Sequence, residues 1–128
     1  MIDFRIHAPI PLGCSRSHVP GFVEAYDQLR AKGIEEVFVV STADAFVMNA
    51  FLESLGPIAK GRVRMLADGN GELAKALGLT FDASVRGMGT RVQRFAMVVD
   101  GHGRIADVQI DAAGAIKTTR AGHLMSRL

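Results

Sequence analysis

Arg94-Phe95-Ala96-Met97-Val98-Val99, then Asp100-Gly101-His102-Gly103, then Arg104 through Ile110: the reading of this stretch decides the fold. Two β-branched, apolar runs flank a short Asp/Gly turn, which is the pattern of an antiparallel hairpin. Upstream, Glu36-Val37-Phe38-Val39-Val40-Ser41 is apolar at successive positions, as expected of a strand covered on both faces in a parallel sheet. Val63-Arg64-Met65-Leu66-Ala67 reads as another strand. Helical patterns lie between the strands. Over residues 14–32, Val19, Phe22, Val23, Tyr26 and Leu29 recur at three- and four-residue steps and form one apolar stripe, which Gly33 stops. A second helix, capped by Ser41 or Thr42, carries Phe46, Val47, Ala50, Phe51 and Leu55 and ends at Gly56-Pro57. Asp68-Gly69-Asn70-Gly71 is a turn, Glu72 to Leu77 a short helix closed by Gly78, and 79–92 a looser stretch. A last helix starts near Thr118 or Thr119. Ile2-Asp3-Phe4-Arg5-Ile6 alternates apolar and charged residues, which suits an exposed edge strand. The order predicts an α/β fold, a central mixed sheet flanked by helices, in one domain over residues 1–128.

Composition excludes several function classes. The chain has 128 residues, 48% of them hydrophobic and 22% charged, with a net charge of +2 and no Lys/Arg block, so nucleic-acid binding is not expected. No apolar run approaches the roughly 20 residues that span a bilayer, and Met1-Ile2-Asp3-Phe4-Arg5 lacks the form of a secretion signal, so no membrane partner is expected. His7, His18, His102 and His123 show no metal-ligand spacing, and no metal site is expected. Gly87-Met88-Gly89 lacks the strand–turn–helix setting and the following Lys-Ser/Thr of a nucleotide loop. One cysteine, Cys14, cannot form a disulfide within the chain, which points to a reducing, cytoplasmic setting.

Cys14 opens the first helical pattern, after Pro11-Leu12-Gly13. Free backbone N–H groups and the positive end of a helix dipole favour a thiolate there, and thiolate is the nucleophile. Gly13 lets a substrate approach the backbone closely. His18 follows four residues later on the same helical face, and Arg16 is nearby. Such a cysteine is as often a small buried hydrophobe, and such a histidine is more often a structural hydrogen-bonder than a base.

A longer pattern gives these residues a setting. Gly13-Cys14-Ser15-Arg16-Ser17-His18-Val19-Pro20-Gly21-Phe22 resembles the peroxidatic-cysteine segment of the peroxiredoxins, the type-five subfamily in particular. Ser41 to Val47, Val63 to Asp68 and Arg94 to Val99 are similar to segments of the same family in the same order. The resemblance implies a thioredoxin-like fold and a thiol peroxidase that reduces hydrogen peroxide and organic hydroperoxides through a cysteine sulfenic acid. It puts Cys14 in the place of the peroxidatic cysteine and Arg94 in that of the active-site arginine, whose guanidinium would stabilise the thiolate and the charge moving onto peroxide oxygen. Arg91 is a second candidate. With no other cysteine, the implied cycle uses one cysteine and an external thiol, glutathione/glutaredoxin or thioredoxin, and no bound cofactor. Beyond substrate and reductant, the expected partner is a second copy of the chain, in a homodimer.

The sequence departs from the family in two places. The family motif has Thr or Ser three residues before the cysteine, where this chain has Pro11, and Pro seven before it, where this chain has His7. Proline supplies neither a hydroxyl nor a backbone N–H to the substrate-binding contact. The leading strand carries Asp3 and Arg5 where the family is apolar, and the family extends further upstream. A diverged or truncated N-terminus, with N-terminal strands partly missing, is therefore expected, a domain swap or tight dimer filling the gap. These departures leave a second reading, a catalytically impaired relative serving as a binding or redox-sensing module. A general thiol–disulfide oxidoreductase fits least, because position 17 is Ser17 and Cys-x-x-Cys is absent. Ser126-Arg127-Leu128 is similar to a peroxisomal signal, which would apply only in a eukaryote.

Overall fold

The computed structural model describes residues 18–112 and 117–128, and residues 2–7 by their backbone. Among the described residues there are seven strands: β1 (Ile2–His7), β2 (Ile34–Ser41), β3 (Arg64–Ala67), β4 (Thr80–Asp82), β5 (Thr90–Val92), β6 (Phe95–Asp100) and β7 (Ile105–Ile110). Five of them make a mixed sheet in the order β3-β2-β1-β6-β7. β1–β2 and β2–β3 are parallel, and β1–β6 and β6–β7 antiparallel. The hairpin has the predicted form, with Phe95 opposite Ile110. Its turn is held by the Asp100 carboxylate, which accepts from the backbone N–H of His102 and of Arg104, each at 2.9 Å.

The expectation of an edge position for residues 2–6 is corrected. β1 is the middle strand, with Phe4 opposite Val37 on one side and Val98 on the other. Alternation of apolar and charged residues constrains which face each side chain takes. It does not limit the number of neighbours, because the ladder uses backbone N–H and C=O groups that every residue here carries.

β6 shows how the sheet joins two cores. Ala96 and Val98 belong to a cluster with Val19, Phe22, Leu29, Ile34, Val37 and Leu124, whereas Phe95, Met97 and Val99 pack with Ala74, Leu79 and Val92. The two-residue period of a strand sends alternate side chains to opposite faces, so one apolar run supplies both clusters.

The first helical pattern divides into α1 (Val19–Glu24) and α2 (Tyr26–Ala31) around Ala25, whose ψ is 3°. Hydrogen bonds bridge the division: Ala25 N–H to Gly21 O at 3.0 Å and Leu29 N–H to Ala25 O at 2.9 Å. The stripe therefore survives it, with Val19, Phe22 and Leu29 fully buried and Val23 and Tyr26 packed at the margin. Gly33, at φ +95°, provides the left-handed residue that ends the helix. The part expected over residues 14–17 lies outside the described residues.

α3 (Ala45–Ser54) corrects two expectations. Its cap is Asp44, whose carboxylate accepts from Val47 N–H at 2.8 Å; Ser41 is the last residue of β2. Its buried residues are Met48 and Phe51, whereas Phe46 is 88% exposed. Apolar residues surround the first two turns of this helix, so periodicity alone does not select a face. Pro57 does not merely end it. It starts α4 (Pro57–Lys60), where a missing N–H costs nothing.

α5 (Glu72–Ala76) follows its predicted turn, and the Asp68 carboxylate accepts from the N–H groups of Leu73 and Ala74. The looser stretch contains an antiparallel ribbon, β4 with β5, with Phe81 opposite Arg91. Gly87 and Gly89, both at positive φ, serve its turn. α6 (Ala121–Arg127) begins two residues later than Thr119 and buries Ala121 and Leu124. No helix among the described residues is long and apolar enough to cross a membrane.

Candidate active site

β6 begins one residue after Arg94, and α1 begins one residue after His18. The packing of α1 on the sheet brings these two side chains together. Arg94 Nη1 lies 3.0 Å from His18 Nδ1, and His18 Nε2 lies 2.9 Å from the backbone oxygen of Thr119. The tautomer follows from the partners. A guanidinium can only donate and a carbonyl can only accept, so Nδ1 carries the lone pair and Nε2 the proton.

All of this is away from water. His18 is 1% exposed, Thr119 0% and Arg94 6%. Burial lowers the His18 pKa to about 4; the Arg94 charge acts in the same direction, while the Thr119 carbonyl and Asp111 oppose it. At neutral pH the ring is neutral, as its hydrogen bonds require. Phe22 meets the ring edge-on, with centroids 5.8 Å apart.

Asp111 fixes the far side. Its Oδ2 accepts from the Lys117 N–H at 2.7 Å, the Thr119 N–H at 3.2 Å and the Thr119 hydroxyl at 2.7 Å. Its Oδ1 accepts from the N–H and hydroxyl of Thr118 at 2.9 and 2.7 Å. Burial by itself would raise the Asp111 pKa, but these donors together hold it well below the ordinary carboxylate range. The Asp111 N–H also donates to the Arg94 carbonyl at 3.0 Å, which closes the network on itself.

Of the residues singled out in the sequence, Cys14, Gly13 and Pro11 lie outside the described residues. Arg94 and His18 are brought together. Arg91 is not: its Nε donates to Met88 O at 2.8 Å and its Nη1 to Thr42 O at 3.1 Å, beside an open cleft that Asp44 and Val47 also line. Asp111 and Thr119 were not legible as site residues. An acid after a strand and a Thr-Thr pair before a helix read locally as ordinary end-capping residues. No group of three or more His, Cys, Asp or Glu side chains able to hold a metal occurs among the described residues.

A five-stranded mixed sheet flanked by helices, with a buried arginine and histidine at the start of β6 and α1, defines a thioredoxin-like fold with a site at one end of the sheet. Residues 6–121 match the redoxin family. The chain belongs to that family and, within it, to the peroxiredoxins, which are thiol peroxidases. It is 40% identical over 117 residues to peroxiredoxin-2E-2 (chloroplastic) of Oryza sativa subsp. japonica, covering 90% of this chain and 51% of that protein. Peroxiredoxin-2C of the same plant is 40% identical over 115 residues, covering 90% of this chain and 69% of the relative. The chain thus spans about half the length of one of these relatives and about two thirds of the other. Reduced Prx3 of Vibrio vulnificus, solved in complex with hydrogen peroxide, superposes with a TM-score of 0.90 at 33% identity, covering 99% of this chain and 81% of that one.

Proposed function

We propose that this chain reduces hydrogen peroxide and organic hydroperoxides with Cys14 as the attacking residue and Arg94 as the cation beside it. The observation that carries this reading is the buried contact of Arg94 with His18, because His18 follows Cys14 by only four residues. At about 3.8 Å per residue, the chain holds the two Cα atoms within roughly 15 Å of each other. The hydrogen peroxide complex of the Vibrio vulnificus relative supports the substrate class.

In the proposed step the Cys14 thiolate attacks one peroxide oxygen and the O–O bond breaks. The departing oxygen takes a proton and leaves as water or an alcohol, and the sulfur becomes Cys–SOH. We assign Gly13 and Pro11 to the substrate-binding contact. One equivalent of an external thiol condenses with Cys–SOH, releasing water and forming a mixed disulfide; a second reduces that disulfide and restores the thiol. Glutathione/glutaredoxin or thioredoxin are the reductants we assign. Such thiols belong to reducing compartments, and we assign the activity to the cytoplasm. A homodimer is part of this reading, supported by Phe46 at 88% exposure and Val85 fully exposed, apolar surface that a second copy would cover.

Consumption of hydrogen peroxide and an organic hydroperoxide with a thiol donor tests the reading. Wild type is expected to turn over and Cys14→Ser not to, with Cys14–SOH trapped by dimedone and located by mass spectrometry. Equal rates for the two proteins would end the claim. Pro11 favours the second reading, an impaired relative acting as a binding or redox-sensing module. The Pro11→Thr variant separates the two, since a rise in rate marks the proline as what limits activity.

A further inference from the structure

Four residues from three parts of the chain form a closed circuit. The Arg94 side chain donates to His18 Nδ1 and His18 Nε2 donates to the Thr119 carbonyl. Thr119 donates its N–H and its hydroxyl to the Asp111 carboxylate, and the Asp111 N–H donates to the Arg94 carbonyl. Every member is 6% exposed or less. A guanidinium on a long, flexible side chain is useful at a reacting sulfur only if its orientation is fixed, and a buried ring of hydrogen bonds fixes it.

We propose that His18 is a positioning residue: as a neutral acceptor at Nδ1 it fixes the direction of the Arg94 guanidinium on which the Cys14 chemistry depends, and Asp111 holds His18 in that tautomer by locking the Thr119 carbonyl onto Nε2. His18 takes no proton from the substrate in this scheme and does not touch the reacting atoms. Its contribution is the direction of a charge. A protonated His18 could not serve, because both ring nitrogens would then be donors and Nδ1 would face a guanidinium that also only donates. The inference rests on the proposed role of Arg94.

The test uses three substitutions that dissect the ring. The side-chain oxygen of Asn takes the position of a histidine Nδ1, so His18→Asn keeps an acceptor for Arg94. The amide nitrogen of Gln takes the position of Nε2, so His18→Gln keeps the donor to Thr119. His18→Phe keeps neither. Two quantities are read on folded protein, verified by circular dichroism: the rate of Cys14 oxidation by hydrogen peroxide, and the pH dependence of Cys14 alkylation by iodoacetamide. His18→Phe and His18→Gln are expected to slow oxidation by up to about a hundredfold, the scale of rate lost when a positioned group shifts by about an ångström. They are also expected to shift the alkylation profile to higher pH. His18→Asn is expected to recover most of both.

A purely structural role would make all three variants follow their stability, with no difference between Asn and Gln in the alkylation profile; that result would overturn the inference. Arg94→Ala, run in parallel, separates the two levels. If Arg94→Ala is slow and the histidine variants are normal, the inference fails and the peroxidase reading stands. If Arg94→Ala itself oxidises at the wild-type rate, both fail.

Discussion

Arg91 and Arg94 lie three residues apart on either side of the join between β5 and β6, and the fold uses them in opposite ways. Arg91 spends its guanidinium on two backbone carbonyls, those of Met88 and Thr42, and so ties the β4–β5 ribbon to the loop after β2. Arg94 faces an imidazole nitrogen in a buried polar ring. A guanidinium on carbonyls serves as a clamp, its charge answered by fixed dipoles. Beside a neutral histidine it is one member of a buried ring of directed hydrogen bonds that runs through Thr119 and Asp111. The resemblance of the Arg94 to Val99 segment ranks Arg94 first, and what packs against each arginine sets how its guanidinium is used.

The largest expected effect that would break this contrast is in catalysis. Arg94→Ala should lower the rate of Cys14 oxidation by about a hundredfold or more, the scale for removing one preorganised charge-stabilising donor. Arg91→Ala should leave that rate within about threefold while lowering stability by about 1 to 3 kcal/mol, because it strips donors from two carbonyls. Stopped-flow oxidation and urea unfolding measure the two, and similar kinetic losses would erase the distinction.

Next in size is the ring itself. Asp111→Asn replaces a buried carboxylate that accepts five hydrogen bonds, and should cost about 3 kcal/mol, since bonds to charged acceptors contribute roughly 1.5 to 3 kcal/mol each and are not additive. The same substitution in Asp107, whose pair with Arg127 at 2.7 Å is on the surface, should cost under about 1 kcal/mol.

The pH dependence sharpens the comparison further. The folded state holds His18 neutral down to about pH 4, against 6.5 for the free side chain, so between those values the unfolded chain binds the extra proton. Stability from this site is therefore complete above about pH 6.5 and falls as pH drops toward 4, by about 3 kcal/mol in total. His18→Asn should flatten that part of the curve. Asp111, whose pKa is depressed, contributes in the other region: its stabilisation is present above the ordinary carboxylate pKa and is lost only as pH falls below it. Denaturant midpoints of wild type and His18→Asn from pH 7 to pH 4.5 check this; parallel curves would remove His18 as the source. Smallest of all, Phe46→Ser should change monomer stability by less than about 0.5 kcal/mol, because its side chain is already in water.

Short-range pattern determined much of this protein. The hairpin, the buried strand β2, the apolar stripe over Val19 to Leu29 and the short helix after Asp68 follow from periodicity and turn chemistry, which act between residues close in the chain. The peroxiredoxin resemblance, carried by the segment around Cys14, likewise came from consecutive residues. Tertiary structure alone decided that β1 is central, that Phe46 faces water, and that Arg94 rather than Arg91 meets His18. The contacts of His18 with Arg94 and Thr119 span 76 and 101 residues. No local propensity encodes such pairings, because they arise when strand order and helix packing bring distant side chains into one buried space, where each polar group must find its partner.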